Sequence, residues 1–211
     1  MKIYLGNSGK SWQQEDSLNN GYGVMIGTPS SMRQFYYQTF CALDNGAYSA
    51  WSNGYGFDEY LFLKQLSMCI QKKLKLDFIV CPDIVAGGVE SVYFSIDWAR
   101  RLVGHPLYFA VQDGMQPEHI NPTLHMFKGI FVGGTLEWKL ETGQMWVQWA
   151  HNHQKPCHIG RVGTFENLRW AKQIGVDSVD STTFIRNDTM HIIDHFNKHQ
   201  DLFERNINAM S

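Results

Sequence analysis

From residue 57 onward, apolar residues recur alternately at helical and at strand spacing, and this alternation restricts the chain to a layered α/β architecture. Residues 57–73 read as a helix with Phe62, Leu66, Cys69 and Ile70 on one face. Residues 77–81 (DFIVC) read as a buried strand that Pro82 terminates. Val89, Val92, Tyr93, Ile96 and Val103 mark the next amphipathic helix. A strand at 107–111, a helix at 118–126, a strand at 129–132, a helix within 136–151 and a strand at 157–160 continue the series. A helix over 164–173 follows, with Thr164 placed to cap it and Gly175 to stop it. A strand at 178–180 and a helix over 188–198 close the pattern.

The first 56 residues are less regular. Strands are expected at 2–5, 22–26 and 41–44, joined by segments rich in Ser, Asn, Gly and Gln. The total is eight strands, five of them followed by clear helices, with near-continuous apolar runs of the kind a parallel sheet buries on both faces. Eight units favour a closed (β/α)8 barrel of the TIM type over an open sheet, compact and with irregular N-terminal units. The 211 residues suffice for one small barrel of this kind, expected as a single domain over 1–211. No linker or fixed-period repeat interrupts them.

Composition narrows the function classes. Hydrophobic residues make up 44% of the chain and charged residues 18%, enough for a true core. The net charge of −2 carries no overall basic signature for a long duplex, so a polymer substrate implies a small footprint or a helper, either a protein partner or a second copy of the chain. Four widely spaced cysteines without a CxxC pair point to a reducing compartment, and no apolar run suggests a leader or a membrane span. A cytoplasmic protein is expected, in a host cell's cytoplasm if a phage encodes it.

In a TIM-type barrel the chemistry sits at strand C-termini and the loops after them. Those positions hold Asp44, Asp83, Gln112 with Asp113, Gly133 with Gly134, Arg161 with Gly163, and Asp180. Carboxylates converging on one rim repel one another and separate into acid and base roles. Any one such aspartate is equally compatible with a helix cap; the convergence is what points to a site. The Asn-Gly-Ala-Tyr run after Asp44 reads as a turn presenting Tyr48. His151, His153, Cys157 and His158 form an HxHxxxCH cluster that could hold zinc, but it spans a helix end and a strand start, and no metal or other cofactor is expected. The glycines of VGG (132–134) and GRVG (160–163) could cradle phosphate through backbone N–H groups.

At these same strand ends the chain resembles the tRNA-guanine transglycosylase superfamily, including its relatives that place 7-deazaguanines in phage and bacterial DNA. VGTFENLRWAKQIGVDSVDSTTFIRN (162–187) is similar to the family's VGTPEDL…GVDMFDC…PTRN segment. ALDNGAY (42–48) resembles DSGGFQ or DSGGYQ, FIVCPD (78–83) the aspartate-bearing strand, FAVQDG (109–114) the VQGG strand, and FVGGT (131–135) the GGLS turn. The order holds over residues 42–187.

The resemblance implies that Asp180 is a nucleophile forming a covalent glycosyl–enzyme intermediate and that Asp44 is the general acid/base. It places Asp83, Gln112 and Gly134 on the edge of a guanine or deazaguanine, with Gly133 beside them, and Tyr48 against the base face. The chain departs from the family in having no CxCxxC…His zinc site after Asp180, so the zinc subdomain that supports tRNA binding is expected to be missing. DNA is therefore the expected substrate in preference to tRNA, with a preQ0-like base as the second substrate. Arg161 and Ala47 stand where the family has glycines, and Phe184-Ile185 stands before Arg186 in place of its proline. Arg161 could narrow the base pocket or meet a phosphate. Two other functions fit these residues: a hydrolytic N-glycosidase, or a non-catalytic nucleic-acid-binding subunit.

Overall fold

The computed structural model describes residues 1–31 and 34–198. Eight strands close into a parallel barrel in sequence order: β1 (Lys2–Gly6), β2 (Gly23–Ile26), β3 (Cys41–Leu43), β4 (Leu76–Val80), β5 (Leu107–Val111), β6 (Gly129–Val132), β7 (Cys157–Ile159) and β8 (Ser178–Ser181). β1 pairs in parallel with both β2 and β8, Tyr4 lying opposite Asp180, which closes the ring. Around it run α1 (Ser11–Asn19), α2 (Ala47–Ser52), α3 (Glu59–Gln71), α4 (Val89–Arg101), α5 (Pro117–Ile120), α6 (Leu136–Asn152), α7 (Phe165–Gln173), α8 (Thr183–Arg186) and α9 (Met190–Lys198). No helix among the described residues is long and apolar enough to cross a membrane.

Period-two alternation divides the core in two. Ile79, Phe109, Ile130 and Ile159 face outward into the layer beneath the helices. Tyr4, Met25, Ala42, Phe78, Val80, Tyr108 and Ala110 face inward and fill the barrel with Phe131. Phe78 stacks on Tyr108 with centroids 4.2 Å apart. At the N-terminal end of the barrel, Asp77 accepts hydrogen bonds from Tyr4 Oη and Lys2 Nζ, both at 2.7 Å. Being far from the strand C-termini, it plays no part in the site.

The expected strands match the observed ones to within a residue or two, and the Thr164 cap and Gly175 stop are both present. Thr164 Oγ1 accepts from Asn167 N at 3.1 Å, and Gly175 has φ 78°. Three differences have physical causes. The expected helix over 118–126 is a short α5 followed by a 3-10 segment, Asn121–Met126, because Pro122 has no N–H with which to continue the α-helical ladder. The N-terminal region contains a helix, α1, that the apolar pattern does not reveal, since its buried face is Gln13 and Ser17. Gln13 Nε2 donates to Ile185 O at 3.0 Å, and Ser17 Oγ donates to Gln13 O at 2.7 Å, so this face is satisfied by hydrogen bonds in place of apolar packing. Finally, the turn after Asp44 is the left-handed Gly46 (φ 80°) leading directly into α2, which carries Tyr48.

Candidate active site

The site occupies the C-terminal mouth of the barrel. Asp44 follows β3, Asp83 follows β4 by two residues beyond Cys81, Gln112 follows β5, the Gly133–Gly134 pair follows β6, Arg161 follows β7, and Asp180 lies within β8. Asp180 is 8% exposed and Asp83 9%, far below what unpaired surface aspartates show.

Asp180 Oδ1 meets His158 Nε2 at 2.9 Å, and Oδ2 accepts from the Arg161 backbone N–H at 3.3 Å. Gly160 leaves the room for this: a Cβ there would lie 2.6 Å from the Phe131 ring and 3.3 Å from Asp180 Oδ1. Asp44 is close enough to Asp180 to feel its charge. Burial, and then that charge, push the Asp44 carboxyl up to about 6, against the Gly46 and Asn45 backbone N–H groups and the Arg161 guanidinium. Asp44 and Asp180 therefore share one electrostatic environment.

Asp83 is joined to the pair through Asn45. Asn45 Nδ2 donates to Asp83 Oδ1 at 2.7 Å and to Cys81 O at 2.9 Å, while Asn45 Oδ1 accepts from Ala47 N at 2.8 Å. Burial drives the Asp83 carboxyl up to about 7; the Asn45 hydrogen bond opposes the shift and the Asp44 charge adds to it.

An aspartate whose folded pKa exceeds its unfolded value of about 3.9 destabilises the fold when ionised. The folded state binds the proton more tightly, so stability is greatest at low pH and falls as pH rises from about 4 toward 7. Asp83→Asn removes that effect. It is expected to stabilise the protein by on the order of 1–3 kcal/mol at pH 8, with no gain left below pH 4. Urea unfolding at the two pH values measures it, and a loss of stability at pH 8 would contradict the assignment.

Gln112 is committed to the backbone. Its Oε1 accepts from Ala86 N at 2.6 Å, and its Nε2 donates to Ile84 O at 2.8 Å. It fixes the loop that follows Asp83 and keeps one N–H and one lone pair for a ligand. Asp113 turns away from the other carboxylates. Its two oxygens accept from Thr135 N at 2.8 Å and Thr135 Oγ1 at 2.6 Å; although burial acts in the opposite direction, these bonds hold its carboxyl below the usual range. The convergence expected of this aspartate does not occur: it supports the N-terminus of α6.

Arg161 bridges the mouth. Its guanidinium lies 3.9 Å from the centre of the Tyr48 ring, and Nη2 donates to Gly134 O at 2.6 Å. One face of Tyr48 is thus covered by Arg161. Arg161 has φ 59°, the left-handed region that glycine adopts most readily. Gly134 is left-handed as well (φ 74°), and a Cβ there would fall 2.4 Å from Asp113 Oδ2. Gly133 N donates to Val111 O at 2.8 Å, so this amide is already used within the barrel. Gly134→Ala is expected to cost about 1–3 kcal/mol of stability, readable as a lower midpoint in thermal unfolding, through backbone strain and displacement of Asp113. An unchanged midpoint would show that the turn relaxes freely.

The HxHxxxCH residues go separate ways. His151 pairs with Asp177 at 2.9 Å, His153 Nδ1 meets Trp149 O at 2.8 Å, Cys157 is buried in the outer layer, and His158 points into the barrel. Among the described residues no cluster of three or more His, Cys, Asp or Glu side chains is placed to hold a metal.

Sequence reasoning missed three residues of this site. In the sequence Asn45 reads only as part of a turn. His158 reads only as a metal candidate, although its inward register between Cys157 and Ile159 is a usable signal. Lys139, on the buried side of α6, donates from Nζ to Gly160 O at 2.6 Å; burial and then Arg161 depress its ammonium to about 8. It holds the carbonyl of the loop that carries Arg161.

Fold and site together define a TIM-type α/β barrel with a carboxylate-lined mouth. The chain matches no protein-family model and no curated protein.

Proposed function

We propose that this chain is a base-exchange transglycosylase that replaces guanine with a preQ0-like 7-deazaguanine in nucleic acid, DNA in preference to tRNA. The observation that carries the reading is the coupled pair Asp44 and Asp180. One carboxyl is held by two donors at the bottom of the mouth, and the other has its proton affinity raised into the range useful for acid–base work. The similarity of residues 42–187 to the tRNA-guanine transglycosylase superfamily supplies the substrate class.

In this mechanism an Asp180 oxygen attacks C1′ of the target nucleoside as the C1′–N9 bond breaks, and the electron pair of that bond leaves with the base. Asp44 gives its proton to the departing guanine and becomes the carboxylate. An incoming 7-deazaguanine then loses its N9 proton to Asp44, N9 attacks C1′, and the ester bond breaks with its electrons returning to Asp180. Asp83 accepts from N1–H and the exocyclic amine through the oxygen that Asn45 leaves free. Gln112 sets the loop behind it. Tyr48 and Arg161 meet the base face and its surroundings, where unstacking from the polymer must be offset.

Incubation with DNA and radiolabelled guanine or preQ0 tests the reading. Incorporation of label into the polymer is expected. Equal absence of incorporation for wild type and Asp180→Ala, with an active family enzyme as control, rejects it; an abasic product in place of a modified base would show hydrolysis.

A further inference from the structure

His158 has no role in the mechanism above, yet it is the most deeply placed polar side chain in contact with that chemistry. It is 0% exposed, stacked on Phe131 at 5.0 Å with the planes 15° apart, and edged by Phe78 and Tyr4. Both ring nitrogens are engaged: Nδ1 with Ser178 Oγ at 2.8 Å and Nε2 with Asp180 Oδ1 at 2.9 Å. An ionised carboxylate only accepts, so the proton between His158 and Asp180 belongs to Nε2. In the neutral ring Nδ1 is then the acceptor, and the Ser178 hydroxyl is the donor.

We propose that Ser178 and His158 are positioning residues for the nucleophile: Ser178 donates to Nδ1 and holds the ring of His158 in place, and His158 donates from Nε2 to pin Oδ1 of Asp180 so that Oδ2 is the oxygen presented to the sugar. The arrangement inverts the familiar triad order, in which a carboxylate orients a histidine; here a buried histidine orients a carboxylate. It rests on the transglycosylase reading for the identity of the reaction but not for the tautomer, which is a property of the resting protein. The rings of Phe131, Phe78 and Tyr4 leave the imidazole no other polar partner among the described contacts, so its orientation and that of the carboxylate are locked together. Freed from it, the Asp180 carboxylate can rotate about its last bond, and the attacking oxygen loses its fixed direction.

Three variants separate this from simple core packing. His158→Gln can place an amide N–H near the former Nε2 and keep the bond to Asp180, whereas His158→Asn reaches only the Nδ1 position toward Ser178. His158→Asn is expected to lower kcat for base exchange about 10- to 100-fold with KM nearly unchanged, and His158→Gln to recover most of that loss. Equal activity of the two variants, or a loss confined to KM, overturns the proposal. Nitrogen-detected NMR of histidine-labelled protein gives the second readout without turnover. His158 is expected as the Nε2–H tautomer in wild type and in Ser178→Ala, with the Nδ1 resonance of the variant moved toward that of an acceptor without a hydrogen bond; a wild-type Nδ1–H tautomer overturns the proposal. If wild type shows no exchange, the transglycosylase reading fails by itself, and the NMR result still decides the orientation of His158.

Discussion

Asp180→Asn is expected to lower base exchange at least about 10⁴-fold and to abolish any covalent protein–nucleic acid adduct, while the protein remains folded. The substitution keeps the shape of the side chain and one oxygen able to accept from either His158 Nε2 or the Arg161 N–H, at the cost of the other bond, which its amide N–H2 cannot accept. What is lost is the anionic oxygen that forms the ester to C1′; an amide oxygen is too weak a nucleophile to replace it. The measurement is denaturing electrophoresis of protein mixed with labelled DNA and quenched in single turnover. A shifted band in wild type and none in the variant is the expected result. Full activity of Asp180→Asn would remove the covalent mechanism entirely.

The second large effect falls on Asp44. Asp44→Asn is expected to slow exchange by about 10²- to 10⁴-fold, the range general acid–base groups contribute. It should also change how the reaction responds to pH. In the glycosyl-transfer half, Asp44 must hold its proton, and that carboxyl is pushed up to about 6 by burial and the Asp180 charge. The Asp44 contribution to guanine release in a single turnover is therefore expected to fall as pH rises through about 6. The return half, in which Asp44 accepts the N9 proton of the incoming base, has the opposite slope. Because Asp83 lies near Asp44 and is itself pushed up to about 7, the observed midpoints belong to the pair and not to one residue. Guanine release by Asp44→Asn should lose the descending limb near pH 6. Retention of that limb would place the titrating acid elsewhere, with Asp83 the first candidate.

Both predictions depend on side chains brought together from distant strands, and the sequence anticipated only part of this. Eight strands, their order and most of their ends were legible because a parallel strand buried on both faces leaves an apolar run, and because Pro82 and Gly175 mark ends by backbone chemistry alone. Asp44, Asp83 and Asp180 were visible for a related reason: an ionisable group directly after a buried run has no packing role there. α1 was not visible, since a face made of Gln13 and Ser17 gives no apolar period. Asp113 shows the limit from the other side. By position it matches the other rim aspartates, but both its oxygens are taken by Thr135, twenty-two residues onward.

The sequence alone determined that this chain forms a parallel α/β barrel and which strand ends carry acids, because periodicity and strand termination are local properties written along the backbone. Only the tertiary structure decided which acids work together. The contact of His158 with Asp180, the tie of Asn45 to Asp83 and the cover of Arg161 over Tyr48 join different elements of the barrel, and each depends on the register and side-chain direction that ring closure imposes. Proton affinities follow the same rule. Burial and neighbouring charge set them, and neither quantity exists until the ring of strands is closed.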